Sequence, residues 1–156
     1  MRGFMVTASA SRIDPEGHPA MIHAATATDV LPLFLPSTGS AAKSARDFVV
    51  ECCALWAVKD DFAARILVSE LVTNAHRHSP GEWLIVRVSL DDPGHLLIEV
   101  WDACPREPEI LTPTEEQENG RGMGLIGHVA DKWGIVMVDE TQGGGKVVWA
   151  RVAVRR

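Results

Sequence analysis

The feature that most constrains this chain is a change of period. Through "FAARILVSELVTNAHRH" the apolar residues recur every three or four positions, and from "EWLIVRVSLDDPGHLLIEVWD" onward they recur every two. The first spacing makes one face of a helix and the second makes alternating faces of strands. Asp91-Asp92-Pro93-Gly94 separates the two β-rich runs with turn-forming residues, so residues 83–90 and 95–102 are expected to pair as an antiparallel hairpin.

Flanking segments extend the pattern. In residues 37–58, Ala41, Ala45, Phe48, Cys52 and Leu55 share a helical stripe, with Lys43, Arg46, Asp47 and Glu51 mostly away from it. A second helix starts near Asp60 or Asp61, whose carboxylates suit a helix N-terminus, and Ser79-Pro80-Gly81 stops it. Phe62, Leu67, Val68, Leu71, Val72 and Ala75 are its expected apolar surface. "DVLPLFLP", broken by prolines, suits an edge strand or the approach to a helix. Residues 103–119 are rich in proline and glutamate, have little to bury and are long for a connection, which marks a functional or mobile loop. Beyond it the sequence predicts a helix near 122–131, a strand near 134–140, a turn at Gly143-Gly144-Gly145 and a last strand, "KVVWARVAV". Strands joined by tight turns, with helices before and between them, predict an α+β fold: a mostly antiparallel sheet with helices on one face.

A length of 156 residues suits a single core, and a hydrophobic content of 46% supplies the surface to build it. Residues 1–28, small and polar without periodicity, read as a flexible tail, leaving 29–156 as the domain. The net charge of −6 gives no general attraction to nucleic acid or to an anionic membrane. Cys52, Cys53 and Cys104 form neither a disulfide framework nor a metal-ligand spacing, which fits a reducing cytoplasm. No apolar run has the length of a signal peptide or membrane span.

Three places break the structural pattern. Glu70, Asn74 and His78, at i, i+4 and i+8, put a polar stripe on a helix otherwise committed to burial: a solvated face, or in Asn74 an oxygen ligand for a hard cation. Asp102 ends an apolar strand, as a turn-former or as an acceptor for an exocyclic amine such as a purine's. "NGRGMGLIGHVADKWG" places Gly120, Gly122 and Gly124 around Arg121 immediately before a helix. Such a segment is either a plain loop or a backbone cradle for an anion at the helix N-terminus. It matches neither a Walker loop nor the dinucleotide-binding glycine pattern.

The order of these features resembles a known family. "SELVTNAHRH" is similar to the N box, "VWDACPREP" to a reduced first glycine box, and "GRGMGLIGHVADKWG" to the second glycine box of the GHKL ATP-binding superfamily. "GGGKVVWA" adds a phrase similar to one in the small anti-sigma-factor serine kinases and their actinomycete relatives; the resemblance covers roughly residues 30–154. It implies a two-layer α/β sandwich, the Bergerat fold, with a nucleotide pocket between helices and loop. By that resemblance Asn74 would bind Mg²⁺ bridging the phosphates of ATP, and Glu70 would be the general base. Asp102 would receive the adenine amino group, and Gly120, Arg121, Gly122, Met123 and Gly124 would line the phosphates. Residues 104–119 would be the ATP lid. His78 reads as a helix-packing residue or, alternatively, as one that polarises or positions near the site, and Val147, where the family often has threonine, implies the loss of a water-mediated contact to adenine.

The function implied is an ATP-dependent serine protein kinase that sequesters a sigma factor and phosphorylates a STAS-domain anti-anti-sigma antagonist. A homodimer in the cytoplasm, with no direct nucleic-acid contact, completes the expectation. Two rivals are an ATP-sensing regulator without phosphotransfer and a free-standing domain that phosphorylates histidine on another protein.

Overall fold

The computed structural model describes residues 4–5, 30–80, 82–91, 94–106 and 121–155. The tight hairpin lies where alternation placed it: β3 spans Trp83–Leu90 and β4 spans His95–Asp102, with Asp91 N–H donating to the His95 carbonyl across the turn. Strand β2 (Val30–Pro36) pairs antiparallel with β3 at the sheet edge. An edge tolerates Pro32 and Pro36, which have no N–H to donate to a neighbour.

On the other side of β4 lies β6 (Lys146–Ala153), then β5 (Lys132–Met137), then the two residues of β1 (Phe4–Met5). The sheet order is β1-β5-β6-β4-β3-β2, antiparallel throughout except for β1 against β5. β1 falls in the segment expected to be a flexible tail. β5 begins and ends earlier than expected, because a 3-10 turn at Glu140–Gln142, capped by the Asp139 carboxylate on Thr141 N–H, occupies the predicted strand's end.

The helices α1 (Ala41–Leu55), α2 (Phe62–His78) and α3 (Arg121–Val129) cover one face, and α2 packs against both of the others. This is the expected α+β two-layer sandwich. The main core joins Val49, Cys52 and Cys53 of α1, Leu67, Val68, Leu71 and Val72 of α2, and the helix-facing residues of the sheet such as Val86, Ile98 and Ala150.

The apolar stripes differ in detail from the expectation. Leu55 is 69% exposed and Phe62 67% exposed, so neither belongs to the core; Val49, Cys53, Trp56 and Ala64 are buried instead. Both misplaced residues stand at the helix ends that meet at the α1–α2 corner, where the interior no longer lies beneath the stripe. No described helix is long and apolar enough to cross a membrane.

Candidate functional site

Alternation along the strands fixes which side chains meet beneath the helices. In β4, Leu96, Ile98 and Val100 enter the main core, so Asp102 faces the helix layer too. In β6 the same argument applies to Val148, Ala150, Val152 and therefore Lys146. Asp102 and Lys146 are directly opposite in the ladder.

Gly145 makes this meeting possible. Its φ is +82°, and an added Cβ would overlap the Asp102 carbonyl oxygen, so only glycine allows β6 to begin this close to the end of β4. Lys146 Nζ then reaches Asp102 Oδ1 at 2.8 Å and the Cys104 carbonyl oxygen at 3.2 Å. Both side chains are out of contact with solvent, at 1% and 0% exposure.

Two further donors converge on the same oxygen: Cys104 N–H at 2.9 Å and Ser79 Oγ, at the C-terminal end of α2, at 3.2 Å. The other oxygen, Oδ2, is buried and has no hydrogen-bond partner among the described residues. A buried acceptor is costly to leave unpaired. Oδ2 is therefore the natural acceptor for a ligand N–H, and an exocyclic amine fits it.

Helix geometry places the other predicted residues. Ser69 receives Arg46 of α1 at 3.1 Å and His76 Nδ1 bonds Ser37 Oγ at 2.9 Å, which identifies the α1-facing flank of α2. Glu70 and Asn74 lie about 100° to 160° around the helix axis from these residues, on the other flank, and both are half-buried. Asn74 precedes Ser79 by five residues, about 7.5 Å along the axis, so the polar stripe runs toward the Asp102 end of the helix. An amide oxygen with a nearby carboxylate is a donor set compatible with Mg²⁺, which takes few protein ligands together with phosphate and water.

His78 is exposed rather than packed as expected. Partial desolvation, with the Lys146 ammonium next in effect, holds its imidazole below the usual range, against the pull of Asp102. Burial raises the Cys104 thiol, but hydrogen bonds involving Arg106 and the charge of Lys146 outweigh this and bring it below the ordinary thiol range. In contrast, burial pushes Cys52 up to about 12 and Cys53 up to about 11.

The glycine-rich segment differs from the expected loop. Arg121, Gly122, Met123 and Gly124 form the first turn of α3, while Gly120 and the proposed lid from 107 onward lie outside the described residues. The unpaired N–H groups of a helix's first turn can still serve an anion, so this placement changes the local conformation expected but not the donors available.

Val147 is also not where the expectation needed it. It faces away from the helices, buried with Ile85 beside Trp101 and Val138. The terminal-strand residue facing Asp102 is Lys146. Sequence reading missed Lys146, Ser79 and Cys104; the one available signal was a lysine at a core-facing position of an otherwise apolar strand.

A model of the histidine kinase-like ATPase domain matches residues 35–152. The chain belongs to that family and is an ATP-binding domain of the GHKL type. Among solved structures it is similar to the crystal structure of the RsbU and RsbW domains of Rv1364c from Mycobacterium tuberculosis. Identity is 21% and the TM-score 0.60, over 83% of this chain and 33% of that one. That likeness agrees in fold, and this chain spans about a third of the length of the matched one.

Proposed function

We propose that this domain is an ATP-dependent serine/threonine protein kinase of the anti-sigma type. It phosphorylates a serine on a STAS-domain antagonist, holds a sigma factor when unopposed, and works in the cytoplasm as a homodimer. The observation that carries the nucleotide part is the buried Asp102 Oδ2, an acceptor with no partner among the described residues and suited to the base amine. The kinase and its partners rest on the resemblance of the N box and glycine boxes to the small anti-sigma kinases.

When bound, ATP supplies the phosphoryl group and Mg²⁺ offsets the charge of its phosphates. Asn74 would hold the ion through its side-chain oxygen, and Gly120 to Gly124 would receive the phosphates with backbone N–H groups and Arg121. Asp102 orients the base through Oδ2. Glu70 takes the proton from the attacking serine hydroxyl as that oxygen bonds to the γ-phosphorus and the bond to the β-phosphate oxygen breaks, ADP leaving; the carboxylate needs hydrogen-bond reach to the hydroxyl to do so.

Calorimetric titration of ATP with and without Mg²⁺, on the wild type and on Asn74→Ala, tests the site. Saturable, Mg²⁺-dependent binding that collapses in the variant is expected; no binding at millimolar ATP would overturn it. Phosphate transfer to a STAS-domain protein, with Glu70→Gln as control, tests the kinase. Transfer in the wild type alone is expected, giving an acid-stable phosphoserine. Intact binding without transfer by the wild type would favour a nucleotide-sensing regulator, and an acid-labile product would favour a histidine kinase.

A further inference from the structure

We propose that Lys146 is a positioning residue that sets the base selectivity of the pocket, locking Asp102 so that it accepts from a 6-amino purine and rejects a 6-oxo purine. This inference rests on the reading of Asp102 as the base acceptor.

The geometry is asymmetric. Lys146 Nζ, Ser79 Oγ and Cys104 N–H all donate to Oδ1, and among the described residues nothing donates to Oδ2. Turning the carboxylate about its axis would exchange the oxygens and disturb three bonds at once, so Oδ2 is held as the one vacant acceptor. A carboxylate in a salt bridge accepts hydrogen bonds and donates none. Adenine presents an N–H at its 6-position and satisfies Oδ2. Hypoxanthine presents a carbonyl oxygen there, which sets lone pair against lone pair and leaves both buried groups unpaired.

Removing the ammonium changes the chemistry of the acceptor. Asp102 is fully buried, and without the ammonium its carboxylate loses its paired cation and one of the three donors that hold Oδ1, so it is free to turn. Once it turns, Oδ2 no longer stands as a fixed acceptor, and the discrimination against a 6-oxo group weakens. The other ionisable groups around it among the described residues are His78 of α2 and Cys104 and Arg106 after β4. Arg106 belongs to an exposed stretch of chain, so it does not replace a buried ammonium fixed in the strand opposite.

The test is calorimetric titration of the full chain with Mg·ATP and Mg·ITP for the wild type, Lys146→Met and Lys146→Arg, with thermal melts to establish folding. The wild type is expected to prefer ATP at least about a hundredfold. In Lys146→Met the preference should fall to within about threefold, and Lys146→Arg should restore most of it. A folded Lys146→Met variant that retains the wild-type ratio overturns the proposal. The wild-type arm decides even if that variant does not fold, because ATP and ITP binding within about threefold overturns it without any substitution. Absence of saturable ATP binding by the wild type would instead overturn the underlying nucleotide-site reading.

Discussion

Ser79 Oγ donates a hydrogen bond to Asp102 Oδ1 across 3.2 Å in the protein interior. Ser79 follows the last residue of α2, and Asp102 is the last residue of β4, so one bond ties the end of the helix bearing Glu70 and Asn74 to the buried acceptor. The phosphate-side and base-side candidates are thereby held in one frame.

Replacing Ser79 by alanine should therefore have a modest effect on stability and a larger relative effect on binding. Losing one buried hydrogen bond costs about 1 kcal/mol, or roughly 3 °C of melting temperature for a domain this size. Because Lys146 and Cys104 still hold Asp102, ATP affinity should fall only several-fold. Thermal melts and calorimetry on Ser79→Ala check both, and a loss of all binding with unchanged stability would contradict this division of roles.

Two glycine substitutions should behave oppositely. Gly145→Ala places a methyl group against the Asp102 carbonyl at a left-handed φ, so it should destabilise by about 2 kcal/mol or more and displace the Lys146–Asp102 pair. Gly124→Ala meets nothing within 4 Å in the first turns of α3 and should be neutral or stabilising by up to about 1 kcal/mol. Denaturant melts separate the two. A drop in ATP affinity in the stable Gly124→Ala variant would then report on nucleotide contact instead of folding.

Local signals made much of this fold legible. The hairpin's bounds follow from alternation on both sides of a short turn, a pattern that admits one register. Helix faces were less certain, since Leu55 and Val49 both fit an apolar stripe on α1 and only the packing of α2 and the sheet selects Val49. Glu70, Asn74 and Asp102 stood out as polar residues in apolar elements. Lys146 did not, because a strand lysine ordinarily reaches solvent; its burial depends on a partner in another strand and on the turn at Gly145. Tertiary contacts of that kind leave little trace in local sequence.

Cys104 should be the thiol that reports on the pocket. Cys52 and Cys53 are packed in the core and pushed up to about 12 and about 11, so they carry almost no thiolate at neutral pH. Cys104 is also buried, at 7% exposure, but it lies outside the main core and below the ordinary thiol range, and its backbone touches both Asp102 and Lys146. Iodoacetamide on the native protein should modify Cys104 before the other two, and saturating ATP should slow that reaction several-fold. Peptide mass spectrometry reads both. Equal labelling of all three cysteines, or earlier labelling of Cys52, would contradict this account.

A carboxyl away from the pocket gives the fold a pH dependence of its own. Glu99 lies in the middle of β4, facing away from the helices, with Arg87 and Trp149 as its register partners. It is 1% exposed and its Oε1 has no hydrogen-bond partner among the described residues. Burial pushes it up to about 8, with Arg87 pulling the other way. Between its ordinary value of 4.5 and about 8, the folded protein keeps the proton that the unfolded chain has released. The native state binds more protons there, so stability is greatest below the ordinary value, falls as pH rises through this window and levels off above about 8. The loss across the window is on the order of a few kcal/mol. Glu99→Gln has nearly the shape of the neutral acid and cannot ionise. Subtracting its urea-unfolding profile from that of the wild type at pH 5.5, 7 and 8.5 isolates this one group from other titrations. The variant should match the wild type near pH 5 and exceed it increasingly toward pH 8.5, whereas parallel profiles would mean that Glu99 is already ionised in the folded protein and that Arg87 satisfies it.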